Sequence, residues 1–245
     1  MKIIWKIQIK IYLILIVLTT AFSQYYFSQN MNQEKWEFSL NSSLNFSYRQ
    51  LIDKNNGAAN EAIIQERNEQ ELWKETISFG SNLNYRVIKN LKIGAGLAFM
   101  NLGWKTRKIP LISLIPDPLA PEAVKYYQHF YLLGFPLHVE YEVPTGKVSS
   151  VFSIELVPSR LVAERYNSTV YYSDRTEHNN STSAEEFKPW NLLSGVGIGG
   201  AYAFNEKSRI LVELNAKLSL NDIIDAPISA KHFFCGLSIG YRTSF

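Results

Sequence analysis

A second cysteine is missing from this sequence. Cys235 is the only one, so no internal disulfide can brace the fold. Its place between Phe233 and Leu237 reads as a small hydrophobe rather than a reactive thiol. Net charge is missing too. The formal +3 comes from 25 basic and 22 acidic residues, and Lys2, Lys6 and Lys10 fall in a leader that holds no acid; without them 22 of each sign remain. A chain so balanced offers no cationic face to a polyanion, which excludes nucleic-acid binding. Beyond residue 24 no apolar run approaches the roughly 18 residues of a spanning helix, so a membrane crossing would have to be made by strands. There is no glycine-rich phosphate loop and no His/Cys/Asp/Glu cluster at metal-ligand spacing, so neither cofactor nor metal is expected. Asp174, Glu177 and His178 read as a solvated polar loop.

The leader has the form of a secretory signal peptide. Its three lysines precede the apolar run from Ile11 to Leu18, and Ala21-Phe22-Ser23 offers a small-x-small cleavage site before Gln24. The expected organisation is a signal peptide over 1–23, a short periplasmic segment over 24–35, and one domain over 36–245.

That domain alternates with period 2. In the last segment Phe233, Cys235, Leu237, Ile239, Tyr241, Thr243 and Phe245 share one face, and Phe234, Gly236, Ser238, Gly240, Arg242 and Ser244 the other, mostly small or polar. Seven earlier segments repeat this: from Trp36 to Arg49, Trp73 to Val87, Leu91 to Met100, Tyr127 to Glu142, Phe152 to Leu156, Trp190 to Phe204, and Arg209 to Leu220. Apolar side chains on one face and glycine, serine, asparagine and charge on the other invert the pattern of a soluble barrel and fit strands whose outer solvent is lipid. Short connections (Ile88-Lys89-Asn90, Pro144 to Lys147, Asn205 to Ser208) alternate strictly with long ones after Arg49, Met100, Val157 and Leu220. The expected fold is therefore all-β: an eight-stranded antiparallel up-and-down transmembrane barrel with short periplasmic turns, long extracellular loops and both termini periplasmic. Aromatic girdles are expected from Trp36, Tyr85, Tyr141, Phe204 and Phe245 at the turn end and from Tyr48, Trp73, Tyr127 and Trp190 at the loop end.

The Ala21-Phe22-Ser23-Gln24 cleavage site, the segment Tyr131-Leu132-Leu133-Gly134-Phe135-Pro136-Leu137 and the terminal Gly240-Tyr241-Arg242-Thr243-Ser244-Phe245 carry a family resemblance. The chain resembles the outer-membrane beta-barrel domain family common in Bacteroidetes, which includes PorT-like proteins, and is similar in plan to small OmpA- and OmpX-type barrels. The resemblance implies a bacterial outer-membrane location and surrounding outer-membrane lipid. It also implies that Tyr241 and Phe245 act as the assembly signal read by the outer-membrane insertion machinery.

The inward face carries the candidate chemistry. Glu37, Arg86, Lys92, His138, Glu140, Ser153, Glu155, Arg209, Glu213, Lys217 and Arg242 are mixed in sign and are expected to fill the lumen as a paired polar network. If Val143 pairs with Val148, His138 lies opposite Ser153, with Glu140 and Glu155 near. That is the residue set of an acyl-transfer site, although no nucleophile elbow accompanies it. The apolar, proline-rich stretch Lys108 to Pro121 marks the connection 103–125 either as a docking site for a surface or envelope protein or as a plug over the mouth. The segment from Glu164 to Lys188 reads as a polar surface loop. The expected function is a non-enzymatic outer-membrane barrel whose loops or wall join an envelope or secretion assembly. Alternatives are a narrow passive channel, a lipid-modifying barrel enzyme, and a soluble secreted barrel of lipocalin type.

Overall fold

The computed structural model describes residues 35–112, 119–181 and 187–245. The expected signal peptide and all of segment 24–35 but Lys35 lie outside the described residues. Eight staves carry the architecture: β1 (Trp36–Asp53), β2 (Lys74–Ile88), β3 (Leu91–Thr106), β4 (Ala123–Gly134 continued by Leu137–Thr145), β5 (Val148–Tyr171), β6 (Trp190–Ala203), β7 (Ser208–Ser219) and β8 (Ile228–Ser244). Each pairs antiparallel with the next, and β8 pairs with β1 from Glu37–Ser244 to Asp53–Ile228, so the sheet closes on itself. Three short strands, Glu71–Leu72, Ile109–Pro110 and Thr176–Ser181, extend the wall at the loop end and bring the described strand segments to 12. Closure is completed by the two ends of the barrel: Trp36 and Phe245 exchange backbone hydrogen bonds of 3.3 and 2.9 Å.

The alternation read from the sequence decides which face looks out. Outward side chains stay exposed, Ile154 by 64% and Leu214 by 61%, while the inward Glu37 and Lys92 are buried. An apolar band running round the whole wall far exceeds the patches that soluble monomers expose, which rules out the lipocalin-type alternative on physical grounds. Aromatic rings pair at both rims, Trp36 with Tyr85 at 4.9 Å at the turn end and Tyr48 with Trp73 at 5.4 Å at the loop end.

Proline interrupts β4 at its middle. Pro136 has no N–H to donate, yet its carbonyl accepts from Gly96 N at 3.0 Å, and Phe135 N donates to Pro158 O at 2.8 Å. Ala98 pairs with Gly134 and Ala95 with Leu137, so the register carries through the break.

The wall stands taller than the sequence pattern suggests. β5 runs for 24 residues, and its upper part pairs with Thr176–Ser181, so much of the expected loop from Glu164 to Lys188 is a β-hairpin. Likewise Gly103 to Thr106 and Ala123 to Lys125 belong to β3 and β4, which shortens the 103–125 connection; residues 113–118 lie outside the described residues. The first long loop contains a helix, α1 (Ala58–Gln70), rich in Ala, Glu and Gln, whose entry is fixed by Asp53. That carboxylate accepts from Asn55 N, Gly57 N and Asn60 Nδ2, each at 2.8 Å.

Among the described residues, Gly103 is the glycine inside a stave that combines a positive φ with a close backbone approach. Its φ is +142°, and a Cβ there would meet the carbonyl oxygen of Gln128 at 2.0 Å. Neither atom belongs to a flexible side chain, so Gly103→Ala should destabilise the barrel by about 1–3 kcal/mol. Urea titration of the detergent-solubilised protein checks this, and a midpoint unchanged from wild type would contradict the strained geometry.

Candidate functional site

Buried polar side chains converge in the lumen, which has two storeys. In the half nearer the turns, Glu37 from β1, Lys92 from β3, Glu140 and Glu142 from β4, Arg209 from β7 and Arg242 from β8 form a continuous ion-pair network. Lys92 Nζ lies 2.9 Å from Glu37, 2.8 Å from Glu142 and 3.4 Å from Glu140. Arg242 grips Glu140 with two bonds of 2.6 Å and reaches Glu37 at 3.5 Å, while Arg209 meets Glu142 at 2.5 Å. Three carboxylates thus face three cations. Inward pointing follows from the pleat, and pairing follows because an isolated charge at this depth would be very costly.

Above this layer sit Glu155, paired with Lys217 at 2.7 Å, and Glu213, which accepts a hydrogen bond from Ser153 Oγ at 2.9 Å. Gly94 and Gly197 make the space: a Cβ on the first would meet His138 at 2.5 Å, and on the second Glu213 at 1.8 Å. A cavity of about 90 Å³ remains among Ser39, Asn82, His138, Ser153 and Glu213, room for a few waters.

The register of the β4–β5 hairpin corrects the acyl-transfer geometry. The turn has two residues, Gly146-Lys147, with Gly146 at φ +71°, and Thr145 pairs with Val148. A two-residue loop favours such a left-handed residue, and its closure places Val143 opposite Ser150 rather than Val148. His138 therefore faces Glu155 and Glu140 faces Ser153, two residues from the expected alignment. Ser153 Oγ donates a hydrogen bond to Glu213, a partner that the alternation alone does not assign to it. Of the other expected lumen residues, Arg86 is half-buried beside the Ile88–Leu91 turn.

The upper storey is apolar, contrary to the expectation of a lumen filled by polar groups. Met100, Leu102, Trp104, Phe130, Leu132, Val157, Leu193 and Phe234 point inward from five staves and pack as one buried cluster. Phe130 is its hub, with ring centroids 5.3 Å from Trp104, 4.6 Å from Phe187 and 4.9 Å from His232. His232 is a buried residue of β8. Over the cluster, Arg49 pairs with Glu71 and lies 3.6 Å from the Trp104 ring centroid. The next layer is Leu51, Ile223, Ile224 and Ala230, held down where Lys54 reaches Asp222 at 3.1 Å and Asp225 at 3.2 Å. Those contacts hold the Lys54 ammonium above its ordinary pKa, the Asp222 bond leading and the Asp225 bond adding to it.

The expected loop chemistry is resolved as pairing. Arg175 Nε meets Glu177 at 2.8 Å and its Nη1 meets Asp174 at 3.2 Å, while His178 Nδ1 lies 3.1 Å from Thr169 Oγ1. Cys235 stands on the outer wall, opposite Ala216 and Phe46. Tyr241 is also outward, with its hydroxyl 3.0 Å from Ser208 Oγ.

Among solved structures, Neisserial surface protein A is similar at 11% identity, over 86% of this chain and 97% of that one, with a TM-score of 0.46. The outer membrane protein OprG of Pseudomonas aeruginosa is similar at 9% identity, over 87% and 98%, at 0.43. The outer membrane protease OmpT of Escherichia coli is similar at 9% identity, over 89% and 99%, at 0.43. No curated protein matches the sequence. The family model of the outer membrane protein beta-barrel domain matches residues 22–225. With that match spanning most of a chain whose strands close into a lipid-facing barrel, the protein belongs to the outer membrane protein beta-barrel domain family.

Proposed function

We propose that this protein is a closed, non-enzymatic barrel that presents its long loops at the cell surface to a protein partner of the envelope. The observation that carries this reading is the double stoppering of the lumen: an apolar plug at the loop end stands in series with an ion-pair layer at the turn end, with a cavity of about 90 Å³ among the polar groups below the plug. A filled interior leaves the loops as the variable, reachable part of the molecule. Within the 103–125 connection Ile112 is 89% exposed and Leu119 72% exposed, apolar surface that contact with a partner would remove from water. The non-enzymatic reading is supported by Ser153, whose hydroxyl donates its hydrogen bond to the Glu213 carboxylate rather than to an imidazole. In this arrangement both termini lie in the periplasm, and Tyr241 and Phe245, on the strand that closes the ring, are the residues offered to the insertion machinery.

Planar-bilayer recording should give the conductance of the empty membrane; steady single-channel steps would replace this reading with the narrow-channel one. A photo-crosslinking residue at Ile112 or Leu119 in intact cells should yield one discrete protein adduct. Its absence at both sites, with the barrel correctly inserted, would remove the partner.

A further inference from the structure

At the loop end one part of the wall rises as an open sheet. Ile109–Pro110, the upper parts of β4 and β5, and Thr176–Ser181 lie side by side in that order. The two staves that follow β5 stop lower: β6 begins at Trp190, opposite Arg160, and β7 ends at Ser219, opposite Leu193. The lowest pair of the hairpin, Ser181 with Tyr166, lies six residues beyond Arg160 on β5, roughly 20 Å along the strand. Among the described residues no strand pairs with the other side of Thr176–Ser181.

Two hydrogen bonds fix which backbone groups that side offers. Tyr172 N donates to Arg175 O at 2.9 Å across the hairpin turn, and on the opposite side of β5 Glu122 N donates to Tyr171 O at 2.8 Å. Along an antiparallel pair, residues alternate between bonding the partner and facing away from it. Tyr166, Ser168 and Val170 therefore bond Ser181, Asn179 and Glu177, while Thr176, His178 and Asn180 turn their N–H and C=O groups to the free edge.

Natural sheets guard such an edge with lysine, proline, a bulge or extreme shortness. The other edge of this sheet is guarded: Ile109–Pro110 is two residues long, ends on proline and follows Lys108. Thr176–Ser181 has neither lysine nor proline, and its register runs through all six pairs without a bulge. Its one carboxylate, Glu177, is held by Arg175 and the Tyr172 hydroxyl. A row of alternating donors and acceptors matches another extended backbone. A second copy in the same membrane fits poorly. It would bring the same edge, running the same way, across a two-fold axis parallel to the strands, and so set donor opposite donor. A strand of a separate protein is free to run antiparallel.

We propose that the edge Thr176–Ser181 takes up an extended peptide segment of an external protein, which adds a strand antiparallel to it through the backbone groups of Thr176, His178 and Asn180. This binding mode rests on the reading above that a protein partner meets the loops at the cell surface.

The test uses the full mature barrel in a non-ionic detergent and a fluorescein-labelled peptide copying Arg165 to Tyr172, which includes the run that already pairs with this strand. Fluorescence anisotropy should report saturable binding. His178→Pro removes an outward N–H and no bond to β5, and should weaken binding about tenfold or more. His178→Ala keeps the backbone donor and should stay within about twofold of wild type. N-methylation of the peptide at its Asn167 to Val170 positions should abolish binding to the wild-type barrel, a result that does not depend on any variant keeping its hairpin. Absence of saturable binding to wild type, equal binding by His178→Pro, or undiminished binding of the methylated peptide would overturn the proposal. So would an equal loss in His178→Ala, which marks a side-chain site. Orientation is read separately. A cysteine at Asp174, in the hairpin turn, in a Cys235→Ala background should react with an impermeant maleimide on intact cells. Failure there would sink the loop-outward reading while leaving the detergent binding result standing.

Discussion

Arg242→Met will cost the barrel about 3–5 kcal/mol, because it strands a carboxylate in a site from which water is largely excluded. Arg242 and Glu140 are each buried to 5% exposure or less, and the guanidinium meets the carboxylate through both oxygens at 2.6 Å. Within the network Glu37, Glu140 and Glu142 balance Lys92, Arg209 and Arg242. Deleting Arg242 leaves two cations, Lys92 and Arg209, for three acids, and Lys92, 3.4 Å from Glu140, is already 2.8 Å from Glu142 and 2.9 Å from Glu37. The cost comes from the orphaned charge more than from the lost attraction. It follows that Arg242→Met/Glu140→Met, which restores neutrality and fills similar volume with apolar atoms, should recover most of the loss. Urea unfolding of both variants in the same detergent measures this. A single variant within about 1 kcal/mol of wild type, or a double variant no better than the single, would show that the network is hydrated and not tightly coupled.

The network was legible in the sequence and the plug above it was not, for a reason that lies in the pleat. Alternation tells inside from outside when the two faces differ in chemistry, as Lys92 and Glu140 differ from Ile93 and Val139. At the loop end both faces are apolar, so Leu132 beside Leu133, Val157 beside Leu156, Leu193 beside Leu192 and Phe234 beside Phe233 blur the period. Those same doublets were the available signal. An apolar residue that breaks the alternation at the same end of several consecutive staves marks a place where the lumen is closed by hydrophobic packing. Leu102 and Trp104 lay beyond the expected end of β3, since the sequence gives no boundary between the part of a strand in the membrane and the part that stands above it.

Hairpin register is a different kind of miss. The Pro144 to Lys147 segment reads equally well as a four-residue turn or as a two-residue turn with Pro144 and Thr145 still in the strand. The choice moves His138 from Ser153 to Glu155 and dissolves a candidate catalytic set. By contrast, the eight staves, their order and the closing role of the last strand were all readable, because eight repeats of one period and one alternation of connection length agree with each other. Phe245, singled out by its position, closes the ring through its backbone.

Phe130→Ala should cost about 3–5 kcal/mol and still leave the barrel non-conducting. The ring is 1% exposed and touches Trp104, Phe187 and His232, three side chains brought by β3, the loop before β6, and β8. Truncation removes the contacts that join these elements, and a closed barrel cannot relax far enough to refill the space. The hole adjoins the polar cavity beside Phe234 and lies under the Arg49–Glu71 pair. It does not open a path through the membrane, because Lys92, Arg209 and Arg242 with their carboxylates close the turn end independently. Urea unfolding gives the energy and planar-bilayer recording gives the permeability. A destabilised, silent Phe130→Ala barrel is the result that two stoppers in series require. Ion conduction by this single variant would mean that the charge layer does not seal and that the plug alone holds the lumen shut.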